Sequence, residues 1–272
     1  MRINNNLVAM NNQRQLGVNV NNVSRNMERL SSGLRVNRAG DDAAGLAIAE
    51  KLRAQILGLN MASRNVQDAI SLVQIAEGGL QADHNALHRM REVAVQAASD
   101  TNQSTERQAL NAEVQQLVQE IDQVAETTEF NGMPVLDGSF ESDPLVIQAG
   151  ANAGQTIEVS IGAVDAQSLG VDEVDVSERA AASNAIDTID NAINELSMER
   201  ARLGAIQNRL EFRNQNLSVQ AENNAASESR IRDADMAQIM TRATRDNLLA
   251  RASMSMLAQA NALPQRVLGL LG

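Results

Sequence analysis

The chain has 272 residues, a formal net charge of −11 and an aromatic content of 1%, and it contains no cysteine, tryptophan or tyrosine. An acidic surface repels nucleic acid and anionic membranes, so neither is expected as a partner. The absence of cysteine excludes a disulfide framework and thiolate chemistry, and the aliphatic apolar content suits helix seams better than a thick globular core.

The N-terminal segment predicts an amphipathic helix whose apolar residues follow alternating steps of three and four, as in a heptad seam. The predicted seam consists of Val20, Val23, Met27, Leu30 and Leu34. The Asn, Gln and Arg residues between them are expected on the opposite, polar face. A continuous apolar h-region is missing, and no later run approaches about 20 apolar residues, so signal-peptide export and membrane insertion are both disfavoured.

A joint between two helices is predicted after this seam. Arg35 and Arg38 are expected at the end of the first helix, and Asp41 and Asp42 at the start of the second. Each charge would then lie at the helix end whose dipole favours it. Gly40 is expected to supply the turn between them.

The second helix is predicted from about Ala43 to Ala98, on a heptad seam that Asp83 interrupts. A polar cluster at residues 99–104 ends this helix. A third seam then predicts a helix that folds back on the second. That seam consists of Leu110, Val114, Leu117, Ile121 and Val124.

The character of the chain changes at about residues 130–176, where turn signals and period-two alternation predict one small β-hairpin element. Residues 145–147 and 155–161 are its expected strands. Helical periodicity returns from Ser177 and resumes at Met236, with a seam that runs to Val267 and Leu271. Both chain ends therefore carry apolar stripes, which an intramolecular bundle or contacts with neighbouring subunits could bury; periodicity alone leaves both alternatives open.

Several blocks of the sequence, in order along the chain, closely resemble bacterial flagellins. The matching stretches are residues 30–48, 207–211, 229–237, 257–261 and 264–268. The resemblance covers nearly the whole chain but leaves no room for large mid-chain outer domains. It implies a short flagellin, a structural subunit and not an enzyme, that polymerises through its terminal helices into the extracellular filament used for motility.

The fold expected from pattern and resemblance together is mainly α, an elongated antiparallel long-helix bundle or coiled coil with one small β-hairpin element. Residues 1–42 and 231–272 are expected to form an inner coiled-coil domain, and residues 43–230 an outer rod domain. Residues whose burial between subunits is expected to drive assembly are Val20, Val23, Met27, Leu30, Leu34, Met254, Leu257, Val267 and Leu271.

The resemblance also implies partners. A type III export system would secrete the chain, with an export chaperone holding the C-terminal helix from about Ile231, and filament cap and hook-junction proteins would adjoin the polymer. Residues 87–94 match the segment through which many flagellins engage a Toll-like innate immune receptor. The aligned contact positions are Arg89, Val93 and Glu113, and many receptor-stimulating members carry Leu where Val93 stands.

Two alternatives accompany this interpretation. A hook-filament junction protein would share flagellin-like ends but form only a short ring segment. A secreted metal-dependent enzyme could use His84 and His88, which lie four residues apart as in zincins. Asn85 stands where the catalytic Glu of that motif would be, and no third ligand is evident, so a solvated helix face is the simpler interpretation and no cofactor is expected.

Overall fold

The computed structural model describes the backbone of residues 6–271 and the side chains of residues 6–263. It confirms a mainly helical fold of long helices with small antiparallel strand pairs. The elements in chain order are α1 (Leu7–Ser32), α2 (Ala43–Ala97), α3 (Ser104–Thr127), β1 (Glu129–Phe130), β2 (Met133–Pro134), α4 (Ser139–Ser142), β3 (Leu145–Gln148), β4 (Thr156–Val159), α5 (Arg179–Arg232) and α6 (Met236–Leu271). None of these helices is long and apolar enough to cross a membrane, over the residues described.

The chain divides into two compact units at Ala54/Gln55 and at Glu222/Asn223. The first unit, here the terminal unit, contains α1, α6, the start of α2 and the end of α5. The second, here the central unit, contains α3, α4, the strands and the central parts of α2 and α5. The domain boundaries predicted near residues 42 and 231 stay a prediction.

The core of the central unit consists of apolar residues from α2, α3 and α5 together with the strand region. On α2 the predicted steps of three and four are followed closely, and Val66, Val73, Leu80 and Leu87 are fully buried. Burying an aliphatic side chain of this size stabilises the fold by about 1.5–3 kcal/mol. The seam pattern therefore identified the buried face of α2.

A glycine on α2 allows the β3–β4 loop to pack closely against the helix. A Cβ added at Gly58 would lie 2.9 Å from the Cβ and 3.2 Å from the Cα of Ala151. The second of these atoms is backbone and cannot rotate away. Gly58 is therefore required by the close approach of two chain segments, and a larger residue would push them apart.

The strands form two hairpins in the described residues, one more than the sequence predicted. The β3–β4 pair is the expected element, with Leu145 opposite Val159 and Gln148 opposite Thr156. The additional β1–β2 pair turns at Asn131 and Gly132, whose φ angles of 53° and 76° suit a primed hairpin turn. Its strands have only two residues each, which is too short for a detectable period-two pattern.

The joint after α1 differs from the prediction. α1 ends at Ser32, and Gly33 caps it in the left-handed conformation with φ 72°, so Arg35 and Arg38 lie beyond the helix. Gly40 lies in a turn as predicted, closed by a hydrogen bond of 2.9 Å from the Asp41 N–H to the Arg38 carbonyl, although its φ is not positive. The expectation placed the helix end too late because the apolar Leu34 continues the heptad spacing past the capping glycine.

Two side chains and a backbone bridge hold this joint. Asp42 caps α2 by accepting a hydrogen bond from the Gly45 N–H at 2.8 Å. Leu34 forms an isolated antiparallel bridge with Asp233, which lies between the end of α5 and the start of α6. The C-terminal helix predicted from about Ile231 therefore begins later, at Met236, after a break in which Asp235 accepts from the Gln238 N–H at 3.2 Å. The joint and the break between α5 and α6 pair with each other.

Candidate functional site

The contact between α1 and α6 in the terminal unit forms a seam of buried and half-buried residues spaced by alternating three and four. We call these residues the α1–α6 seam. On α1 they are Ala9, Asn12, Leu16, Asn19, Val23, Asn26 and Leu30. On α6 they are Ile239, Ala243, Asp246, Ala250, Ser253, Leu257 and Ala260.

Asparagines recur every seven residues in the α1–α6 seam, and each donates a hydrogen bond to α6. Asn26 Nδ2 donates to Asp246 Oδ2 at 2.8 Å, and Asn19 Nδ2 donates to Ser253 Oγ at 3.0 Å. Asn12 Nδ2 reaches the carbonyl oxygen of Met256 at 3.4 Å. From Asn26 to Asn12 the residue numbers on α1 decrease while those of their partners on α6 increase, so the two helices are antiparallel.

The most buried part of this ladder is a three-residue network. Asn26 and Asp246 are only 8% and 5% exposed. The second carboxylate oxygen of Asp246 accepts hydrogen bonds from Nε and Nη2 of Arg245, each at 3.1 Å. Both carboxylate oxygens therefore have partners, which removes most of the cost of burying the charge.

The predicted assembly residues divide into two groups. Val23, Leu30 and Leu257 lie in the α1–α6 seam, and Leu34 is half-buried beside it. Val20, Met27 and Met254 lie outside the seam and are 50%, 56% and 59% exposed. The side chains of Val267 and Leu271 lie outside the residues described.

Val20 and Met27 belong to a larger set of exposed apolar side chains, distributed around the sides of the two helices that lie outside the seam; we call this set the outer apolar face. On α1 it consists of Leu7, Val8, Met10, Val18, Val20 and Met27. On α6 it consists of Met236, Met240, Leu248, Leu249, Met254, Met256 and Leu263. Around Met240, Leu248 and Leu249 the surface forms a shallow groove of about 660 Å³. So many exposed apolar side chains on one helix pair are typical of an interaction surface.

The asparagines and Asp246 were not predicted as seam residues, because Asn side chains were expected on the opposite face of α1. A signal was present, because Asn12, Asn19 and Asn26 are spaced by seven residues. That spacing keeps a residue on one side of a coiled coil, where a polar residue is used for specificity.

The residues aligned with the immune-receptor contact lie on α2 and α3 in the central unit. Arg89 Nε donates to Glu113 Oε1 at 2.8 Å, and Arg89 Nη1 donates to Glu92 Oε2 at 2.9 Å. These carboxylates raise the pKa of the Arg89 guanidinium, and the hydrogen bond to Glu113 is the main cause. Val93 is 1% exposed and belongs to the core beneath this surface. Arg89 and Glu113 are thus presented together, whereas Val93 is not on the surface.

The two histidines contact each other and do not form part of a larger group of metal-ligating side chains among the described residues. His84 Nε2 and His88 Nε2 are 2.9 Å apart, and the rings are perpendicular with centroids 4.4 Å apart. One imidazole donates to the other. Burial lowers the pKa of His84, and the nearby charges of His88 and Arg200 lower it further. Within the part of the chain that the structure describes, no three His, Asp or Glu side chains gather as a metal site would require.

Asp83, which interrupts the α2 seam, is fully buried in the central unit. Neither carboxylate oxygen has a hydrogen-bond partner. Burial, aided by the negative charge of Glu120, raises the pKa of Asp83 to about 7. The position of Asp83 was evident from the sequence, but its isolation from polar partners was not.

Both terminal parts of the chain match known protein families. The bacterial flagellin N-terminal helical region matches residues 3–141, and the bacterial flagellin C-terminal helical region matches residues 186–271. The chain is 52% identical to a flagellin of Halalkalibacterium halodurans and 48% identical to a flagellin of Bacillus subtilis, over the full length of each pair. It is also similar to the crystal structure of Bacillus cereus flagellin, with 37% identity and a TM-score of 0.51, over 61% of this chain and 94% of the other.

Proposed function

The chain belongs to the bacterial flagellins, structural proteins that polymerise into the extracellular flagellar filament, and from that premise we propose that the outer apolar face of α1 and α6 joins its subunits. The observation that carries this proposal is the exposure of Val20, Met27 and Met254 on helices that already pair through another face. A subunit surface that is apolar and uncovered gains free energy when a second subunit covers it.

The free energy gained when a second subunit covers this surface can be estimated for two of its side chains. Val20 and Met27 are each about half exposed. Covering what remains of an aliphatic side chain is worth about 1 kcal/mol, roughly half the value for complete burial. The two together contribute about 2 kcal/mol per subunit, which corresponds to a roughly thirtyfold change in the concentration needed for polymerisation.

The test uses the full chain with Val20→Asn and Met27→Asn together. The matched control is Ser24→Asn with Ser31→Asn, which adds two asparagines at exposed positions of the same helix without removing apolar surface. Polymerisation is started by salting out, which strengthens apolar association, and filaments are sedimented and viewed by electron microscopy. We expect the first variant to need about thirtyfold more protein and the control to behave like the parent. Equal polymerisation of both variants would overturn the proposal.

We further infer that residues 1–42 and 231–272 form the inner domain of the filament and residues 43–230 the outer domain. α1 and α6 pack together in the terminal unit, which supports the first part. The seam residues Val23, Leu30 and Leu257, with Leu34 beside the seam, would hold this inner pair. Val267 and Leu271 stay in the proposal as assembly residues from the sequence.

The same apolar surface supports the proposal of an export chaperone on the C-terminal helix. Met240, Leu248 and Leu249 would be exposed on α6 before assembly, and covering them would prevent premature association. A chain ending at residue 231 is expected to lose chaperone binding in a pull-down with the purified chaperone, and retention of binding would contradict this. Filament cap and hook-junction proteins are proposed as neighbours at the two ends of the polymer, on family resemblance.

The receptor proposal depends on Arg89 and Glu113, which form a joint polar surface on α2 and α3. Val93 would act only by supporting that surface from the core. Arg89→Ala is expected to weaken stimulation of a Toll-like receptor in a reporter assay, because Arg side chains often dominate binding interfaces. Arg64→Ala removes an exposed Arg elsewhere on α2 and should leave the signal unchanged. Equal signals from both variants would refute the proposal.

The relatives also bear on the alternatives. They are named flagellins and filament core proteins, which favours a filament subunit over a junction protein. The metal-dependent enzyme finds no support in a family of structural filament proteins.

A further inference from the structure

Helix α1 has two candidate apolar faces that differ by a small rotation. The face predicted from hydrophobicity contains Val20 and Met27, whereas the observed α1–α6 seam contains Asn19 and Asn26 in their place. Both faces share Val23 and Leu30. With 3.6 residues per turn, the centres of the two faces are about 50° apart around the helix axis.

Hydrophobicity alone favours the predicted face over the observed one. Val20 and Met27 would bury more apolar surface than Asn19 and Asn26, which require hydrogen-bond partners when buried. The observed rotation supplies those partners, because Asn26 donates to Asp246 and Asn19 donates to Ser253. Rotating α1 toward the apolar face would leave the buried Asp246 without the amide that satisfies its Oδ2.

We propose that Asn19, Asn26 and Asp246 are orientation-determining residues for filament assembly, which hold α1 so that Val20 and Met27 face the next subunit. The inference rests on the proposed function of the outer apolar face. Stability alone does not explain why the seam is polar, because replacing a buried polar network by apolar residues of similar volume is often stabilising. A role in orienting α1 does explain it. The chain thereby keeps its apolar residues for contacts between subunits.

The test compares two full-length variants that change the network in different ways. Asn19→Leu, Asn26→Leu and Asp246→Leu together make the seam apolar and remove the reason for the observed rotation. Asn26→Asp with Asp246→Asn exchanges the two groups and keeps one amide–carboxylate hydrogen bond across the seam. Helix stability is followed by circular dichroism during heating, and polymerisation by sedimentation after salting out.

We expect the apolar variant to melt no earlier than the parent yet need about tenfold more protein to polymerise, because Val20 and Met27 are turned inward. The exchanged variant should polymerise within about threefold of the parent, since its hydrogen bond fixes the same rotation. Normal polymerisation of the apolar variant would overturn the proposal. A lower melting temperature together with poor polymerisation in both variants would also overturn it, by showing that the network only stabilises the helix pair.

A second measurement reports the rotation without any assembly. The described chain contains no cysteine, so Val20→Cys introduces a single thiol whose labelling rate reports its exposure. In the apolar variant this thiol should react about fivefold more slowly than in the parent, and an unchanged rate would refute the rotation. If labelling slows as expected while Val20→Asn with Met27→Asn still polymerises normally, the rotation stands and the proposed assembly face is wrong.

Discussion

Asp83→Asn tests how the buried carboxyl of the central unit links folding to pH. In the unfolded chain an aspartate has a pKa of 3.8, and burial raises the pKa of Asp83 to about 7. Below pH 3.8 the carboxyl is protonated in both states, so it costs no stability. Between 3.8 and about 7 only the folded state keeps the proton, so stability falls as pH rises and stays low above 7.

The size of this loss follows from the two pKa values. A rise from 3.8 to about 7 corresponds to at most roughly 4 kcal/mol of unfolding free energy between acidic and alkaline solution. Asp83→Asn keeps the shape and removes the charge, so its stability should exceed that of the parent above pH 7 by up to this amount. Below pH 4 the two proteins should be about equal.

The assay is urea unfolding followed by far-ultraviolet circular dichroism, because the chain has no tryptophan or tyrosine to report by fluorescence. Unfolding free energies are measured for both proteins from pH 4 to 8, and their difference isolates Asp83 from other titrating groups such as His84. Glu120→Gln serves as a control, since removing that charge should lower the pKa of Asp83 and reduce the difference. An equal slope with pH in the parent and Asp83→Asn would refute the reasoning.

Three further substitutions probe local structure. Asp42→Ala removes the side chain that accepts from the Gly45 N–H, so the cap of α2 should be lost at a cost of about 1 kcal/mol, seen as a lower melting temperature; an unchanged melting temperature would contradict the capping role. Gly58→Ala should destabilise the chain by about 1–3 kcal/mol through its contact with Ala151, and urea unfolding would disprove this if the midpoint did not move. Leu30→Asp places a charge in the half-buried α1–α6 seam and should abolish filaments while leaving a soluble protein, so normal filaments on electron microscopy would rule out the seam as an assembly requirement.

The sequence predicted the long helices because their apolar residues repeat at steps of three and four over many turns. The α2 seam shows this best, since Val66, Val73 and Leu80 are all buried where the pattern placed them. Polar clusters predicted helix ends to within a few residues. The blocks that resemble flagellins indicated the family, which the full-length relatives confirm.

Only the tertiary structure decided which face of α1 packs against α6. Two faces about 50° apart both satisfy a heptad pattern, and the spacing alone cannot separate them. The choice depends on hydrogen-bond partners on a helix more than 200 residues away, since Asn26 meets Asp246 across a separation of 220 positions. The isolation of Asp83 and the burial of Val93 were likewise settled by neighbouring helices. Local sequence therefore determined which segments are helical, whereas the satisfaction of polar groups by distant partners determined how those helices face one another.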